Sequence, residues 1–298
     1  MTARLINGAE VAAQIREELK GRVKATVAKG VQPFLSVVLV GEDPASISYV
    51  TSKAKGCADV GMHEETIRMP AATSEAEVLK VIDRLNKDDK VHGILVQLPL
   101  PKHIDEKQVL YRILPAKDVD GFHPLNVGKL LIGEPDFLPC TPHGVQQLLV
   151  RSGNNPEGKH VVICGRSNIV GKPLAAILIQ KKKGANATVT MCHTGTKDMS
   201  KYTLQADILV AAMGVPKAIT ADMVRPGAVV IDVGVNRIVD PSKEKGFRLV
   251  GDVDFDAIKE KASFITPVPG GVGPMTVTML LVNTVRAAER KAGIVSPE

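Results

Sequence analysis

The sequence contains no tryptophan, only three tyrosines and only six phenylalanines, so aromatic rings contribute little to its interior. Hydrophobic residues nevertheless make up 44% of the 298 residues, and the core is therefore expected to consist of aliphatic side chains. A chain of this length is expected to form two domains, because single hydrophobic cores stop growing at about 250–300 residues.

Cysteine is also scarce. The four cysteines have neither the spacing of a disulfide framework nor that of a zinc site, so no metal is expected. No stretch of about 18 apolar residues spans a membrane, and the first residues lack the apolar segment of a signal peptide. The sequence therefore predicts a cytoplasmic protein without a membrane segment. The scattered cysteines are Cys57, Cys140, Cys164 and Cys192.

The formal net charge of +6 does not mark a nucleic-acid-binding surface, because lysine and arginine are interspersed with acidic residues. The one tight basic run, Lys181, Lys182 and Lys183, is typical of a solvated helix C-terminus. A mildly basic protein suits anionic small molecules, since its field raises their local concentration.

The first third of the chain alternates predicted helices and strands, which indicates an α/β fold. Asn7 is predicted to cap a helix that Gly30 ends, and the capping-box pair Ser74 and Glu77 predicts another helix reaching Leu85. Between them, Asp43 and Pro44 are predicted to begin a helix that ends near Gly61. The apolar positions predicted to face the core in the first helix are Val11, Ile15, Leu19, Val23 and Val27.

Short apolar runs predict buried parallel strands. Two of them, at residues 34–40 and 91–98, belong to the first α/β domain. A second βα series follows a predicted helix at residues 141–151, and a last helix at residues 276–292 follows a loop of glycines and prolines at residues 267–274. The fold class is therefore two α/β domains, of which the second is a Rossmann-like doubly wound parallel sheet. Its predicted strands lie at residues 160–164, 188–192, 208–212 and 228–233.

A tight turn follows the strand at residues 160–164 and is a candidate nucleotide loop. Gly165 permits the sharp turn, Ser167 is small enough for the backbone to approach a pyrophosphate, and Gly171 allows a helix to pack closely on the strand. The loop departs from Gly-x-Gly-x-x-Gly, because serine replaces the second glycine and the last gap is one residue longer. Alone it fits a dinucleotide site and an ordinary turn equally, and the strands around it favour the dinucleotide.

The preferred dinucleotide is expected to be NADP. A carboxylate about 20 residues after the loop grips the ribose hydroxyls of NAD, but the second strand here ends in Cys192, His193 and Thr194. Arg166 and Thr194 instead supply a cation and a hydroxyl that suit the 2′-phosphate of NADP, unless Arg166 merely faces solvent.

Tyr49 and Lys53 are four residues apart on one predicted helix and therefore share a face. A surface lysine is usually solvated, but this helix follows a buried strand at a sheet edge where open α/β folds bind ligands. A partly buried lysine has a lowered pKa and becomes useful as an acid or base. Gln97, at the end of another apolar strand, is either a loop anchor or a site residue.

Two further segments are candidate site elements. Asp118 and Asp120 form either a polar turn or an inward-facing carboxylate, which needs a cationic or multi-donor partner. The glycine- and proline-rich segment that contains Gly270 and Gly271 is too constrained for a generic linker, and its glycines let backbone approach a ligand closely.

Taken together, these motifs resemble the bifunctional methylenetetrahydrofolate dehydrogenase/methenyltetrahydrofolate cyclohydrolases. One family signature covers residues 75–100 and includes Ile-Leu-Val-Gln-Leu-Pro-Leu at 94–100. The other is Pro-Gly-Gly-Val-Gly-Pro-Met-Thr-Val at 269–277. Tyr-Val-Thr-Ser-Lys at 49–53 precedes both signatures, and Asp-Val-Asp-Gly-Phe at 118–122, the nucleotide loop and Asp-Val-Gly-Val-Asn at 232–236 lie between them, so the likeness covers almost the whole chain.

The resemblance implies a role for each candidate residue. Lys53 would be the acid/base group of the cyclohydrolase step, and Gln97 would contact and tune it. Tyr49 would pack on the folate, Asp120 would hold the pterin, and Gly270 and Gly271 would border the substrate. The residues around NADP would be Gly165, Arg166, Ser167, Thr194 and Val235.

The resemblance also implies an organisation. Residues 1–140 would form the folate-binding catalytic domain, completed by a C-terminal helix at 276–298 that returns to it, and residues 141–275 would form the NADP-binding domain. The substrates would be tetrahydrofolate one-carbon derivatives, and the protein would be a homodimer paired through the nucleotide domains.

Three other interpretations have weaker support. The Tyr-x-x-x-Lys pair also occurs in short-chain dehydrogenases, but there it follows the nucleotide loop, whereas Tyr49 and Lys53 precede it by over 100 residues. Two-domain shikimate-type or amino-acid dehydrogenases share the architecture but lack both signatures. A non-catalytic NADP-sensing module would bind the dinucleotide and show no turnover of folate.

Overall fold

The computed structural model describes residues 2–243 and 246–295 and divides the chain into two compact units. One unit, here called the three-stranded unit, contains residues 13–140 and the chain from 277 onward. The other, the six-stranded unit, contains the chain up to residue 12 and residues 141–276. Both are α/β, as the sequence predicts.

The three-stranded unit is a parallel sheet with helices. Its strand order is β3-β2-β4, with β2 at Phe34–Val40, β3 at His63–Met69 and β4 at Gly93–Val96. The interior is aliphatic, since the β2 residues that follow Phe34 are all buried. The helices that lie wholly in this unit are α2 (Pro44–Val60), α3 (Glu75–Lys87), α4 (Glu106–Arg112) and α5 (Pro124–Leu131), with a 3₁₀ turn at Pro115–Lys117.

The six-stranded unit contains a parallel sheet of order β1-β11-β8-β7-β5-β6 and an antiparallel hairpin, β9 with β10. The order of β8, β7, β5 and β6 places the first strand of the series centrally, as in doubly wound nucleotide-binding sheets. The sheet strands are β1 (Arg4–Leu5), β5 (His160–Cys164), β6 (Thr188–Cys192), β7 (Ile208–Ala211), β8 (Val229–Asp232) and β11 (Phe264–Ile265), and the hairpin strands are β9 (Asn236–Val239) and β10 (Phe247–Val250). The helices are α6 (Cys140–Arg151, of which Cys140 itself belongs to the three-stranded unit), α7 (Gly171–Leu178), α8 (Ser200–Thr203) and α9 (Phe255–Lys259), with a 3₁₀ turn at Ala221–Met223.

The two longest helices each contain a unit boundary. They are α1 (Gly8–Ala28) and α10 (Val272–Lys291). Asn7 Oδ1 caps α1 by accepting hydrogen bonds from the backbone N–H groups of Ala9 and Glu10, as predicted, whereas Val27 is 43% exposed and does not face the core. Within the described residues, no helix combines the length and apolarity that a membrane crossing needs.

Local signals at both ends fix the position of α2. The Asp43 side chain accepts a hydrogen bond from the Ser46 N–H at 2.7 Å, and Pro44 is the first helical residue. Gly61 ends the helix in the left-handed conformation, with φ of 81°. Gly56 brings α2 close to α10, since a Cβ there would lie 3.2 Å from Leu281 Cδ1. These features set which face of α2 turns inward.

Replacing Asp43 with alanine is expected to lower the free energy of unfolding by about 1 kcal/mol, because the first turn of α2 loses its side-chain acceptor. Urea titration followed by circular dichroism measures the change. Glu42→Ala is the matched control, since Glu42 is exposed and precedes the cap. An equal loss in both variants would contradict the capping role.

The structure corrects several boundaries. β3 was not predicted, because its sequence, His-Glu-Glu-Thr-Ile-Arg-Met, is mostly polar and half-buried at the sheet edge. β4 is four residues long rather than eight, so Gln97 lies just beyond the strand. The last helix begins at Val272 rather than Thr276, since Pro274 is tolerated in a first helical turn.

The first residues of the chain belong to a different unit from the one expected. β1 pairs in parallel with β11, so the segment up to Ala12 lies in the six-stranded unit rather than in the domain of residues 1–140. This pairing joins positions 260 residues apart, and the two-residue strand has no periodicity to signal it. Residues 1 and 296–298 of the expected first domain lie outside the described residues.

Candidate active site

The first candidate cluster forms around Lys53 in the three-stranded unit. Lys53 is 8% exposed, and its Nζ donates a hydrogen bond of 2.8 Å to Gln97 Oε1. Gln97 is held in turn, because its N–H donates to the Val38 carbonyl at 2.9 Å and its Nε2 donates to the Leu98 carbonyl at 2.7 Å. The glutamine is therefore both a loop anchor and a partner of the lysine.

Burial shifts the pKa values of Lys53 and Asp120 in opposite directions. Burial lowers the pKa of Lys53, and the negative charge of Asp120 works against that shift. Burial raises the pKa of Asp120 to about 6, with Lys53 opposing and Asp118 adding to the rise. An amine whose pKa is lowered beside a carboxyl whose pKa is raised is typical of a site that moves protons.

The neighbouring carboxylate, Asp118, is committed to the turn itself. It is 2% exposed and accepts hydrogen bonds of 2.8 Å from both the His123 N–H and Asn126 Nδ2. Burial raises the pKa of Asp118, and these hydrogen bonds oppose the rise. Asp120 is partly exposed, so of the two carboxylates it is the one available to a ligand.

Two buried residues complete this cluster and were missed by the sequence analysis. The Cys140 thiol donates a hydrogen bond of 3.4 Å to the Val119 carbonyl, and burial next to the Asp120 carboxyl raises the pKa of Cys140 well above its usual value. Asn283 of α10 donates from Nδ2 to the carbonyls of Val119 and Leu138 at 2.7 and 2.8 Å. The one available signal for Asn283 was a polar residue within an apolar helical run.

Tyr49 lies one helical turn before Lys53 on α2, as the spacing predicts. Its side chain is 42% exposed, so the ring is open to a ligand. The structure thus brings Lys53 and Gln97 into direct contact, places Asp120 close enough to influence Lys53, and leaves the tyrosine ring at the surface.

The nucleotide loop has the close backbone approaches that its glycines predict. Gly165 has φ of 134°, and a Cβ there would lie 2.1 Å from the Ala212 carbonyl oxygen. A Cβ on Gly171 would lie 2.1 Å from the Gly165 carbonyl oxygen. Ser167 Oγ accepts a hydrogen bond from the Val170 N–H, which tightens the turn before α7.

The loop leaves a cation facing outward. Arg166 is exposed, and no carboxylate in residues 2–243 or 246–295 forms an ion pair with it. Ser167 also satisfies the first N–H groups of α7, since its Oγ accepts from the Gly171 N–H and its carbonyl oxygen accepts from the Lys172 N–H. The unpaired guanidinium of Arg166 is a donor on this turn that suits the phosphate of a dinucleotide.

The remaining candidates also lie in the six-stranded unit. Thr194 is exposed just after β6, and Val235, between β8 and β9, is 48% exposed. Gly270 has φ of 102°, and a Cβ on Gly271 would lie 2.5 Å from the Pro267 carbonyl oxygen. The start of α1 packs on this loop, since a Cβ on Gly8 would lie 1.7 Å from the Gly271 carbonyl oxygen.

Two family models match the chain. The catalytic domain of tetrahydrofolate dehydrogenase/cyclohydrolase matches residues 6–120, and the NAD(P)-binding domain of the same family matches residues 139–292. Lys53, Gln97 and Asp120 lie within the first match, whereas Cys140, Asn283 and the nucleotide loop lie within the second.

Two bacterial relatives are similar to this chain along nearly its whole length. The bifunctional protein FolD of Syntrophus aciditrophicus is 60% identical over 294 residues, covering 99% of this chain and 100% of the relative. The crystal structure of the bifunctional FolD enzyme of Campylobacter jejuni is 49% identical with a TM-score of 0.91, covering 97% of this chain and 99% of that one.

A third relative is a structure with ligands. The Trypanosoma brucei methylenetetrahydrofolate dehydrogenase-cyclohydrolase, complexed with NADP cofactor and an inhibitor, is 41% identical with a TM-score of 0.92. The match covers 98% of this chain and 99% of the Trypanosoma brucei chain. On this evidence the chain belongs to the tetrahydrofolate dehydrogenase/cyclohydrolase family.

Proposed function

We propose that this chain oxidises 5,10-methylenetetrahydrofolate to 5,10-methenyltetrahydrofolate with NADP and then hydrolyses the product to 10-formyltetrahydrofolate. The observation that carries the proposal is the buried Lys53–Gln97 pair beside Asp120, in the part of the chain that matches the family's catalytic domain. In this proposal the three-stranded unit is the folate-binding catalytic domain, and the six-stranded unit is the NADP-binding domain.

The nucleotide loop fits NADP. Gly165 and Gly171 are needed for the tight packing of this turn, because a Cβ at either position would collide with backbone. Arg166 and Thr194 hold the 2′-phosphate with charge-assisted and hydroxyl hydrogen bonds. NADP accepts the hydride when bound, and the protein contributes placement and exclusion of water. Val235 borders the cofactor on the neighbouring loop.

Lys53 carries the proton transfers of the hydrolytic step. Water adds to the cationic methenyl carbon and loses a proton, and a proton must then reach the departing nitrogen. Because burial lowers the pKa of Lys53, more of the neutral amine is available at neutral pH than for an exposed lysine. Gln97 fixes Nζ in one orientation through the 2.8 Å hydrogen bond.

Asp120 and the ring of Tyr49 hold the folate. A pterin presents an amino group and a ring N–H side by side, and an ionised carboxylate accepts both hydrogen bonds. Those two donors favour the charged form of Asp120, whose pKa burial raises to about 6 despite the opposing charge of Lys53. Tyr49 packs its exposed ring on the ligand, and the loop at Gly270 and Gly271 borders the substrate.

The cofactor assignment gives a direct test. We expect kcat/KM with NADP⁺ to exceed that with NAD⁺ by at least about tenfold, or about 1.4 kcal/mol, and Arg166→Ala to shrink this ratio. Steady-state assays with each cofactor measure both values. Lys182→Ala, which removes an exposed cation of the same unit away from the loop, serves as the control. Equal use of both cofactors by the unmodified enzyme would refute the assignment.

The protein is further proposed to be a cytoplasmic homodimer that pairs through its six-stranded units. The resemblance to the family supports this proposal, and light scattering of the purified protein measures the mass. A mass of about twice 31.8 kDa is expected, and a mass of one chain would contradict it.

A further inference from the structure

Two buried carboxylates in the six-stranded unit have no part in the chemistry described above. Asp232 ends β8 and is 2% exposed, and Asp252, two residues after β10, is fully buried. The hydrogen bonds to both carboxylates come from neutral N–H groups rather than from cations. Burying a carboxylate in this way is costly, so their presence indicates a role beyond filling space.

Asp252 ties together two loops that leave neighbouring strands. Its Oδ2 accepts hydrogen bonds from the N–H groups of Met213 and Gly214, at 2.6 and 2.9 Å. Its Oδ1 accepts a hydrogen bond of 2.8 Å from Asn236 Nδ2. Met213 and Gly214 follow β7, and Asn236 follows the loop after β8, so one carboxylate fixes the spacing of both loops.

Asp232 holds the backbone at Asp252 through hydrogen bonds. Its Oδ1 accepts hydrogen bonds from the N–H groups of Gly234 and Asp252, at 3.0 and 2.9 Å, and its Oδ2 accepts one from Val253 at 3.1 Å. Two glycines make room for this packing. A Cβ on Gly251 would lie 1.7 Å from Asp232 Oδ2, and a Cβ on Gly234 would lie 2.2 Å from Asp252 Oδ1.

The loops held by Asp252 lie at the edge of the sheet that binds dinucleotides. Both follow the carboxyl ends of parallel strands, where open α/β sheets place their ligands. The segment after β7 also contacts the nucleotide turn, because a Cβ on Gly165 would lie 2.1 Å from the Ala212 carbonyl oxygen. A continuous set of contacts therefore runs from Gly165 through Ala212 and Met213 to Asp252, and from there to Asn236.

We propose that Asp252 is a positioning residue for the dehydrogenase reaction, which acts by holding the loops at Met213–Gly214 and Val235–Asn236 around the NADP site. Asp232 holds Asp252 in that position. This inference rests on the proposed function, because the proposed function assigns NADP to this edge of the sheet. The effect of Asp252 is expected only in the oxidation step, because the Lys53 cluster belongs to the other unit.

The test compares both activities in four variants. Asp252→Leu removes every acceptor while keeping the branching of the side chain at Cγ, and Asn236→Ala removes one end of the contact between Asp252 and Asn236. Asp252→Asn keeps the contacts to both loops. Its amide oxygen accepts from the N–H groups of Met213 and Gly214, while its amide nitrogen donates to Oδ1 of Asn236 after the Asn236 side chain rotates. Asp256→Ala, at an exposed carboxylate on α9, is the control.

For Asp252→Leu we expect kcat/KM of the dehydrogenase to fall roughly tenfold or more, since misplacement by about 1 Å can cost about 100-fold. The affinity for NADP⁺, measured by calorimetry, should weaken, while hydrolysis of supplied methenyltetrahydrofolate stays within about twofold of the unmodified rate. Asn236→Ala should show a smaller loss of the same kind. Asp252→Asn should recover most of the activity, and Asp256→Ala should resemble the unmodified enzyme.

Several results would overturn the inference. A folded Asp252→Leu protein with unchanged dehydrogenase kinetics would do so, as would equal loss of both activities, which indicates a merely structural role. If Asp252→Leu does not fold, unchanged NADP⁺ kinetics in Asn236→Ala decide against the inference. Failure of the unmodified enzyme to reduce NADP⁺ would instead refute the proposed function, so the two failures are distinguishable.

Discussion

Replacing Lys53 with methionine is expected to lower the rate of methenyltetrahydrofolate hydrolysis by about 100-fold or more, the scale of lost general acid–base catalysis. Methionine is an unbranched side chain only one heavy atom shorter than lysine, but it has no titratable proton. The affinity for NADP⁺ should stay near normal, because the nucleotide loop lies in the other unit. Spectrophotometric decay of the methenyl compound gives the rate, and calorimetry gives the affinity.

Lys55→Met is the matched control for this substitution. Lys55 lies on the same helix two residues later and is exposed, whereas Lys53 is 8% exposed and bonded to Gln97. The control should hydrolyse the substrate at the unmodified rate. Ordinary hydrolysis by the Lys53 variant would remove the lysine from the mechanism.

Asp120→Asn is expected to weaken oxidation and hydrolysis together, because both reactions need the pterin held in place. The amide presents a donor where the pterin also presents a donor. Leaving buried donors unpaired costs about 1–3 kcal/mol, so kcat/KM should fall roughly 5- to 150-fold for each reaction. NADP⁺ binding measured without folate should hardly change.

Asp118→Asn separates this role from that of the neighbouring carboxylate. The Asp118 side chain is occupied by His123 and Asn126, so its replacement should act mainly on stability, measured as the urea midpoint. A larger kinetic loss in the Asp118 variant, or intact folate affinity and rates in the Asp120 variant, would mean that the wrong carboxylate was assigned.

Much of the six-stranded sheet could be predicted from the sequence because its signals are local. The bounds of β5 and β6 match the prediction residue for residue. β5 is buried and apolar after His160, as a central parallel strand is, whereas β6 is a half-buried edge strand in which threonines alternate with apolar residues. The caps Asp43 and Ser74 also lie where the prediction placed them, because capping depends on residues within one turn.

The part that sequence patterns missed depends on distant contacts. β1 is short and acquires its place from pairing with β11, and β3 is polar but paired along its whole length with β2. Asn283 reaches Val119, 164 residues away, and no periodicity within α10 indicates that contact. The Lys53–Gln97 contact itself was suggested by the family resemblance, and the residue patterns alone left Gln97 undecided.

One protein that both oxidises and hydrolyses the folate one-carbon unit should carry out the two reactions in a single incubation. The purified protein is mixed with methylenetetrahydrofolate and NADP⁺, while reduced nicotinamide and the methenyl product are recorded together. We expect steady formation of NADPH with little build-up of the methenyl compound, because hydrolysis follows in the same protein. No NADPH, or methenyl compound that accumulates and decays only at its rate in buffer, would contradict it.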